Sequence, residues 1–239
     1  MSVADKLTTI AENQQKVYDA GFTAGQAQGG GGGDSYYDQF WDMYQQNGQR
    51  TNYSNGFAYG TWNDEVFQPK YPLQPTNASN MFYRTTGLTE ITNVDLSKAT
   101  DVSFAFYMCD NLVRIGKCDF SSAQGGLMTP PEACQTFAQN FRLKTIDEIV
   151  SKEDLVWDST FMGLTALESV TFSGTIGTSI DFSSCHQLTI ESIESIIDCL
   201  KDLNGQTAQT LKLSSSVSPK LDITEHLLKV HSLNWTLVY

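Results

Sequence analysis

A chain of 239 residues holds one sizeable domain with a smaller segment beside it, and 40% apolar residues with 11% aromatic ones suit a folded protein. The formal charge of -12 speaks against a nucleic-acid partner, which needs clustered Lys and Arg to displace counterions. No apolar run reaches the roughly 18 residues of a spanning helix, so no membrane insertion is expected.

In chain order, the start Met-Ser-Val-Ala-Asp-Lys lacks the basic and apolar pattern of a signal peptide, which implies synthesis in the cytoplasm without the usual export route. Residues 1–20 read as a helix in which Val3, Leu7, Ile10, Gln14 and Val17 follow the alternating four-three spacing of a coiled-coil seam. A helix this short is marginal alone in water. The expectation is therefore an anchor or stalk that makes a homo-oligomer, with a trimer favoured. Residues 21–33 contain seven glycines, five of them consecutive, and read as a flexible linker. A phosphate-cradling loop is excluded there, because the Lys-Ser/Thr of that motif is missing and Asp34 follows at once.

Residues 34–76 read as an aromatic-rich N-terminal cap. Asp34 to Gln46 has helical spacing, with Tyr37, Phe40, Trp41 and Tyr44 on one face. Thr51 to Asn77 reads as loop, since Pro69, Pro72 and Pro75 exclude helix. Its aromatics Tyr53, Phe57, Tyr59, Trp62, Phe67 and Tyr71 are expected to pack beneath the first repeat.

The repeat that orders the chain occupies residues 77–188. Phe-x5-Leu-x2-Ile/Val appears as Phe82/Leu88/Ile91, Phe106/Leu112/Ile115, Phe137/Leu143/Ile146 and Phe161/Leu167/Val170, with a worn fifth copy in Phe182 and Leu188. The phenylalanines are 24, 31, 24 and 21 residues apart, and the long gap points to an insertion around Gly125 to Pro131. A period near 24 lies in the range of leucine-rich solenoids, in which each unit buries its apolar row only against its neighbours. Further inward candidates are Val94, Leu96, Cys118, Phe120, Ile149 and Phe172. Glu90, Arg114, Lys144, Glu148 and Glu168 read as solvated outward residues. Asp95-Leu-Ser, Asp119-Phe-Ser and Asp181-Phe-Ser mark turns in which Asp bonds a nearby amide.

Residues 189–239 read as a C-terminal cap of helix, strand, helix and strand. The first helix carries Ile190, Ile193, Ile196, Ile197, Leu200 and Leu203 up to Asn204-Gly205, and the second runs from Asp222 to His231. Strands are expected at Thr210 to Leu213 and Asn234 to Tyr239. The expected fold class is thus α/β, a leucine-rich-repeat-like solenoid with short parallel strands, an N-terminal helix or coiled-coil stalk and this cap.

Cys109, Cys118, Cys134, Cys185 and Cys199 are an odd number with no C-x2-C pair, and read as free buried thiols. His186, His226 and His231 show no zinc-ligand spacing, and the last two read as surface residues without acidic or nucleophilic partners. Carboxylates are scattered through turns, and no Cys-His or Ser-His-Asp order stands out. No enzyme, metal or cofactor is expected.

Ser97-Lys-Ala-Thr-Asp-Val-Ser-Phe-Ala-Phe-Tyr-Met-Cys-Asp-Asn-Leu112 resembles the BspA-type leucine-rich repeat. In the other units the Cys position holds Thr85, Asn140 or Leu164. The N-terminal Ala4-Asp-Lys-Leu-Thr-Thr-Ile-Ala-Glu-Asn segment with its glycine tether resembles tail-associated proteins of phages and prophages of Gram-positive gut bacteria. Gly174-Thr-Ile-Gly177 and Leu233-Asn-Trp-Thr-Leu237 have a similar character, although Asn234 stands where such proteins usually carry Gly. The resemblance implies a non-enzymatic virion protein of tail-fibre or baseplate type, with other virion proteins and a host surface glycan or protein as partners. A BspA-like bacterial surface adhesin is the alternative, and a cell-wall or glycan hydrolase the third reading.

Overall fold

The structure, a computed structural model, describes residues 52–69, 72–124, 135–220 and 223–239. The expected N-terminal helix with Val3, Leu7, Ile10, Gln14 and Val17, the glycine linker, the aromatic helix from Asp34, the insertion around Gly125 to Pro131 and Cys134 lie outside the described residues. Within them the fold is α/β, with parallel strands and few helices.

Strands β1 (Thr61–Phe67), β2 (Thr86–Ile91), β3 (Arg114–Asp119), β4 (Thr145–Ser151) and β5 (Ser169–Gly174) form a five-stranded sheet in sequence order, every neighbouring pair parallel. Register explains the repeat. Phe67, Ile91, Ile115, Ile146 and Val170 are successive partners across the five strands, and none is more than 1% exposed. The step from Ile115 to Ile146 spans 31 residues, yet β3 and β4 pair in line. The seven extra residues thus fall in the connection and leave the sheet undisturbed, as insertions in repeat proteins do.

The phenylalanines precede the strands and stack on one another. Phe57 lies 5.0 Å from Phe82, Phe82 5.6 Å from Phe106, Phe106 5.7 Å from Phe137 and Phe137 6.0 Å from Phe161. These centroid spacings follow the roughly 4.8 Å separation of neighbouring strands. Leu88, Leu112, Leu143, Leu167 and Leu188 fill the interior beside the rings and are buried. Each large side chain so covered contributes about 1.5–3 kcal/mol relative to leaving it in water.

Two elements differ from the sequence reading at the N-terminal side. The segment from Thr51 to Asn77 is not all loop, because β1 lies inside it and joins the sheet ahead of the first expected unit. Phe57 stacks on Phe82 as an earlier member of the ring row. From Phe57 to Phe67 the chain is one residue longer than from Phe82 to Ile91, and register shifts in β1 absorb the excess. Gly87 lets β2 come close, since a Cβ there would lie 1.7 Å from the Trp62 carbonyl oxygen.

The sheet ends at β5 because helix α1 (Ile190–Asp198) covers its edge. The Val170 amide donates to Ser192 Oγ at 3.0 Å and the Phe172 amide to Ser195 Oγ at 3.1 Å. A serine pair at i and i+3 on one helix face thus satisfies two donors that another strand would otherwise take. Thr189 caps α1, accepting from the Ser192 amide. The expected continuation of this helix to Leu203 is corrected. It stops at Asp198, after which Leu200 bridges Ile176 and the Lys201 amide donates to the Ile176 carbonyl at 2.8 Å. Tertiary pairing outweighs the local helical pattern there.

The C-terminal residues form a second parallel sheet of β6 (Ile180–Phe182), β7 (Gln209–Leu213) and β8 (Trp235–Val238), with helix α2 (Ile223–Ser232) before the last strand. The expected helix–strand–helix–strand order gains β6 as a first strand, so Phe182 belongs to this sheet while its ring still lies 4.3 Å from Phe161. Turns repeat one device: Asp95, Asp119 and Asp181 accept from the amides of Ser97, Ser121 and Ser183 at 3.0, 2.9 and 2.7 Å.

Candidate interaction surface

The turn before each strand is built around its phenylalanine by an alternation of backbone hand. Residues two before and two after the ring have positive φ: Asn55 and Tyr59, Asn80 and Arg84, Phe104 and Met108, Gln135 and Gln139, Ser159 and Gly163. Alternating hands turn amides at every second residue towards the next turn. Tyr59 donates to the Tyr83 carbonyl at 2.8 Å, Arg84 to that of Tyr107 at 2.8 Å, Met108 to that of Ala138 at 3.1 Å and Gln139 to that of Met162 at 2.8 Å. This second ladder offsets the strain of so many non-glycine residues in the left-handed region.

Its outer side carries a row of rings. Tyr59 meets Tyr83 edge-on at 5.4 Å, Tyr83 stacks on Tyr107 at 5.3 Å with 10° between planes, and Phe104 meets Tyr107 edge-on at 5.5 Å. The Arg84 guanidinium lies over the Tyr83 ring, 5.6 Å from its centroid. Further along, Phe141 is 53% and Met162 40% exposed, and Tyr59 at the other end is 63% exposed. Sequence reasoning noticed Tyr59 but missed this row. The signal was available in Phe82-Tyr83 and Phe106-Tyr107, where the residue after the repeat phenylalanine is again aromatic and 24 residues separate the pair.

The residues of the sequence pattern divide cleanly. Phe82, Leu88, Ile91, Phe106, Leu112, Ile115, Phe137, Leu143, Ile146, Phe161, Leu167, Val170, Phe182 and Leu188 all lie in the core. The outward charges are not merely solvated, which corrects the sequence reading: they pair across strands. Arg114 makes a two-pronged contact with Asp147 at 2.9 and 2.7 Å and reaches Glu90 at 3.1 Å. Hydrogen bonds to Asp147 hold its proton more tightly than usual. Lys117 pairs with Glu148 at 3.0 Å and Lys144 with Glu168 at 3.0 Å. The Ser173 hydroxyl donates to Glu148 at 2.6 Å, and together with Lys117 it holds that carboxyl below its usual range. Among the described residues, by contrast, the guanidinium of Arg84 has no carboxylate partner.

Cys109, Cys118 and Cys185 are buried free thiols, and Cys199 is free and half-buried. Burial pushes the Cys109 thiol up to about 12 and those of Cys118 and Cys185 upward as well, so none supplies a thiolate nucleophile near neutrality. His186 Nδ1 lies 2.7 Å from Ser214 Oγ, a pairing the sequence did not reveal. Ser214 is 3% exposed and its hydroxyl also accepts from the Ser216 amide, so it staples a turn rather than meeting a substrate. His226 was expected to lack an acidic partner; the structure sets its Nε2 3.5 Å from Glu194, tying α2 to α1 beside the Lys229–Asp198 pair. Among the described residues no three His, Cys, Asp or Glu side chains gather as metal ligands, and no helix is long and apolar enough to cross a membrane.

No protein-family model, curated protein or solved structure matches the chain.

Proposed function

We propose that the chain is a non-enzymatic attachment protein of a tailed phage or prophage, of tail-fibre or baseplate type, with a leucine-rich-repeat-like solenoid as its body and a C-terminal cap. In support of the solenoid, each unit adds one strand and one turn to the last, with the isoleucine and phenylalanine rows kept in line. The N-terminal helix with its Val3, Leu7, Ile10, Gln14 and Val17 seam holds a homotrimer and joins other virion proteins, while the body meets the host surface. The observation that carries a contact role is the ring cluster on the outer side of the turns, in which half-buried Tyr83, Phe104 and Tyr107 lie beside Tyr59, itself 63% exposed. Clustered aromatic side chains at a protein surface are a common mark of an interaction site. The flanking segments' resemblance to tail-associated proteins supports the virion.

Immunogold labelling with antibody against the purified chain tests this on induced particles and on the producing cells. Gold on the tails is the expected result. Gold on the envelope of cells without particles would replace the reading with the surface adhesin, and reproducible release of sugar or peptide from peptidoglycan would replace it with the hydrolase.

A further inference from the structure

We infer that the ring cluster of Tyr59, Tyr83, Phe104 and Tyr107, with exposed Phe141 and Met162 on the turns that follow, docks a protein partner that presents apolar side chains beside carboxylates. The inference rests on the attachment reading and specifies what that surface takes. Composition is the first argument. Tyr, Phe and Met around an Arg are the side chains that protein interfaces concentrate at their centres, and this row holds all four types. The second argument is ring geometry. A sugar platform needs a free aromatic face, but Tyr83 and Tyr107 lie face to face at 5.3 Å. Tyr83 also makes a T-shaped contact with Tyr59 and lies under the guanidinium of Arg84. The stacked faces of Tyr83 and Tyr107 are thus closed to a pyranose ring, while their edges and hydroxyls suit a protein surface.

Charge supplies the third argument. Arg114, Lys117, Lys144, Lys201, Lys212 and Lys229 each pair with a carboxylate of a neighbouring turn or helix. Arg84, like Lys98 and Arg142, has none among the described residues, and it stands over the ring of Tyr83. A carboxylate arriving over Tyr83 would complete a charge-assisted hydrogen bond in surroundings that the rings partly dry. The rings are also held in place by the backbone ladder, with Tyr59 and Arg84 bonded to the following turn at 2.8 Å each. Docking therefore orders little backbone that is not ordered already.

The test selects a displayed library of random peptides on the full chain. The Arg84→Asn and Phe141→Ser variants serve as counter-targets. Asn is at home at the positive φ that Arg84 adopts, so the first variant keeps its fold while losing the charge. Phe141 is more than half exposed, and a melting curve for each variant certifies the fold. Peptides combining Asp or Glu with Phe, Leu or Trp should enrich, and should bind each variant at least about tenfold more weakly. Failure to enrich any peptide, enrichment of basic ones, or equal binding to wild type and both variants would overturn the inference. So would glycan-array binding that Phe141→Ser abolishes, which assigns the row to carbohydrate, or loss of self-association in the variants, which assigns it to a second copy. Labelled tails with a negative selection would sink only this inference, whereas unlabelled tails with a positive one would sink the virion reading.

Discussion

Asn140 shows how much one side chain settles in such a stack. It occupies the position that Thr85, Cys109 and Leu164 hold in other units, and it is fully buried. Its Oδ1 accepts from the Cys109 amide at 2.6 Å, and its Nδ2 donates to the carbonyls of Phe106 at 2.6 Å and Phe137 at 2.7 Å. It therefore satisfies backbone groups of two consecutive turns. Asn140→Ala strands those groups in the interior and should cost about 2–4 kcal/mol, read from the urea midpoint at constant slope. A loss below half a kilocalorie would mean that water replaces the amide. Leu143→Ala, three residues on, should cost roughly 2–5 kcal/mol as core truncations do. Lys144→Ala should be nearly silent, because its pair with Glu168 is half exposed on both sides. Equal melting temperatures for these two variants would contradict the register. Glu148 brings pH dependence. Ser173 first, and Lys117 second, hold its folded-state carboxyl below the ordinary glutamate value, about 4.3 in an unfolded chain. A depressed folded value adds stability that is present above the unfolded value and disappears as pH falls through the folded one. The stability gap between wild type and Ser173→Ala should thus be open at neutral pH and close under acid. A gap that widened in acid would reverse the assignment.

At the scale of elements, the way the sheet stops matters as much as the way it grows. A parallel edge left open invites another chain, and here α1 closes β5 with two hydroxyls. Ser192→Ala with Ser195→Ala should orphan two edge amides, at about 1–3 kcal/mol each, and leave a sticky edge. Lower stability with faster aggregation on heating is the expected pair of results. A double variant that melts like wild type would mean the serines are incidental. What the sequence revealed at this scale follows from what repeats. Ile91, Ile115, Ile146 and Val170 were legible because every unit needs the same apolar partner at the same place. β1 was not, since Asn63 stands at the leucine position, a bulge adds a residue, and three prolines follow. The end of α1 was hidden as well, because the Ile176–Leu200 bridge that stops the helix depends on a segment fourteen residues before it. The ring row escaped for a different reason. Tyr83 and Tyr107 follow core phenylalanines directly, and only the left-handed turn residues beside them decide which ring faces inward.

For the whole molecule, the question is how many bodies act together. A single docking face of modest area binds weakly, and several copies on one particle gain strength by raising local concentration, provided that a flexible tether lets them reach. In the proposed attachment protein, the spacing of Val3, Leu7, Ile10, Gln14 and Val17 would supply the assembly and the five consecutive glycines after it the tether. The chain's net charge of -12 disfavours direct contact between bodies, and the proposed attachment protein would assemble through residues 1–20 instead. Light scattering of the full chain beside one lacking residues 1–33 separates these contributions. The full chain should have the mass of an oligomer, a trimer foremost, and the shortened chain that of a monomer with the same melting temperature. Two monomers at high micromolar concentration would remove the stalk from the account, and two oligomers of equal size would move assembly onto the body itself.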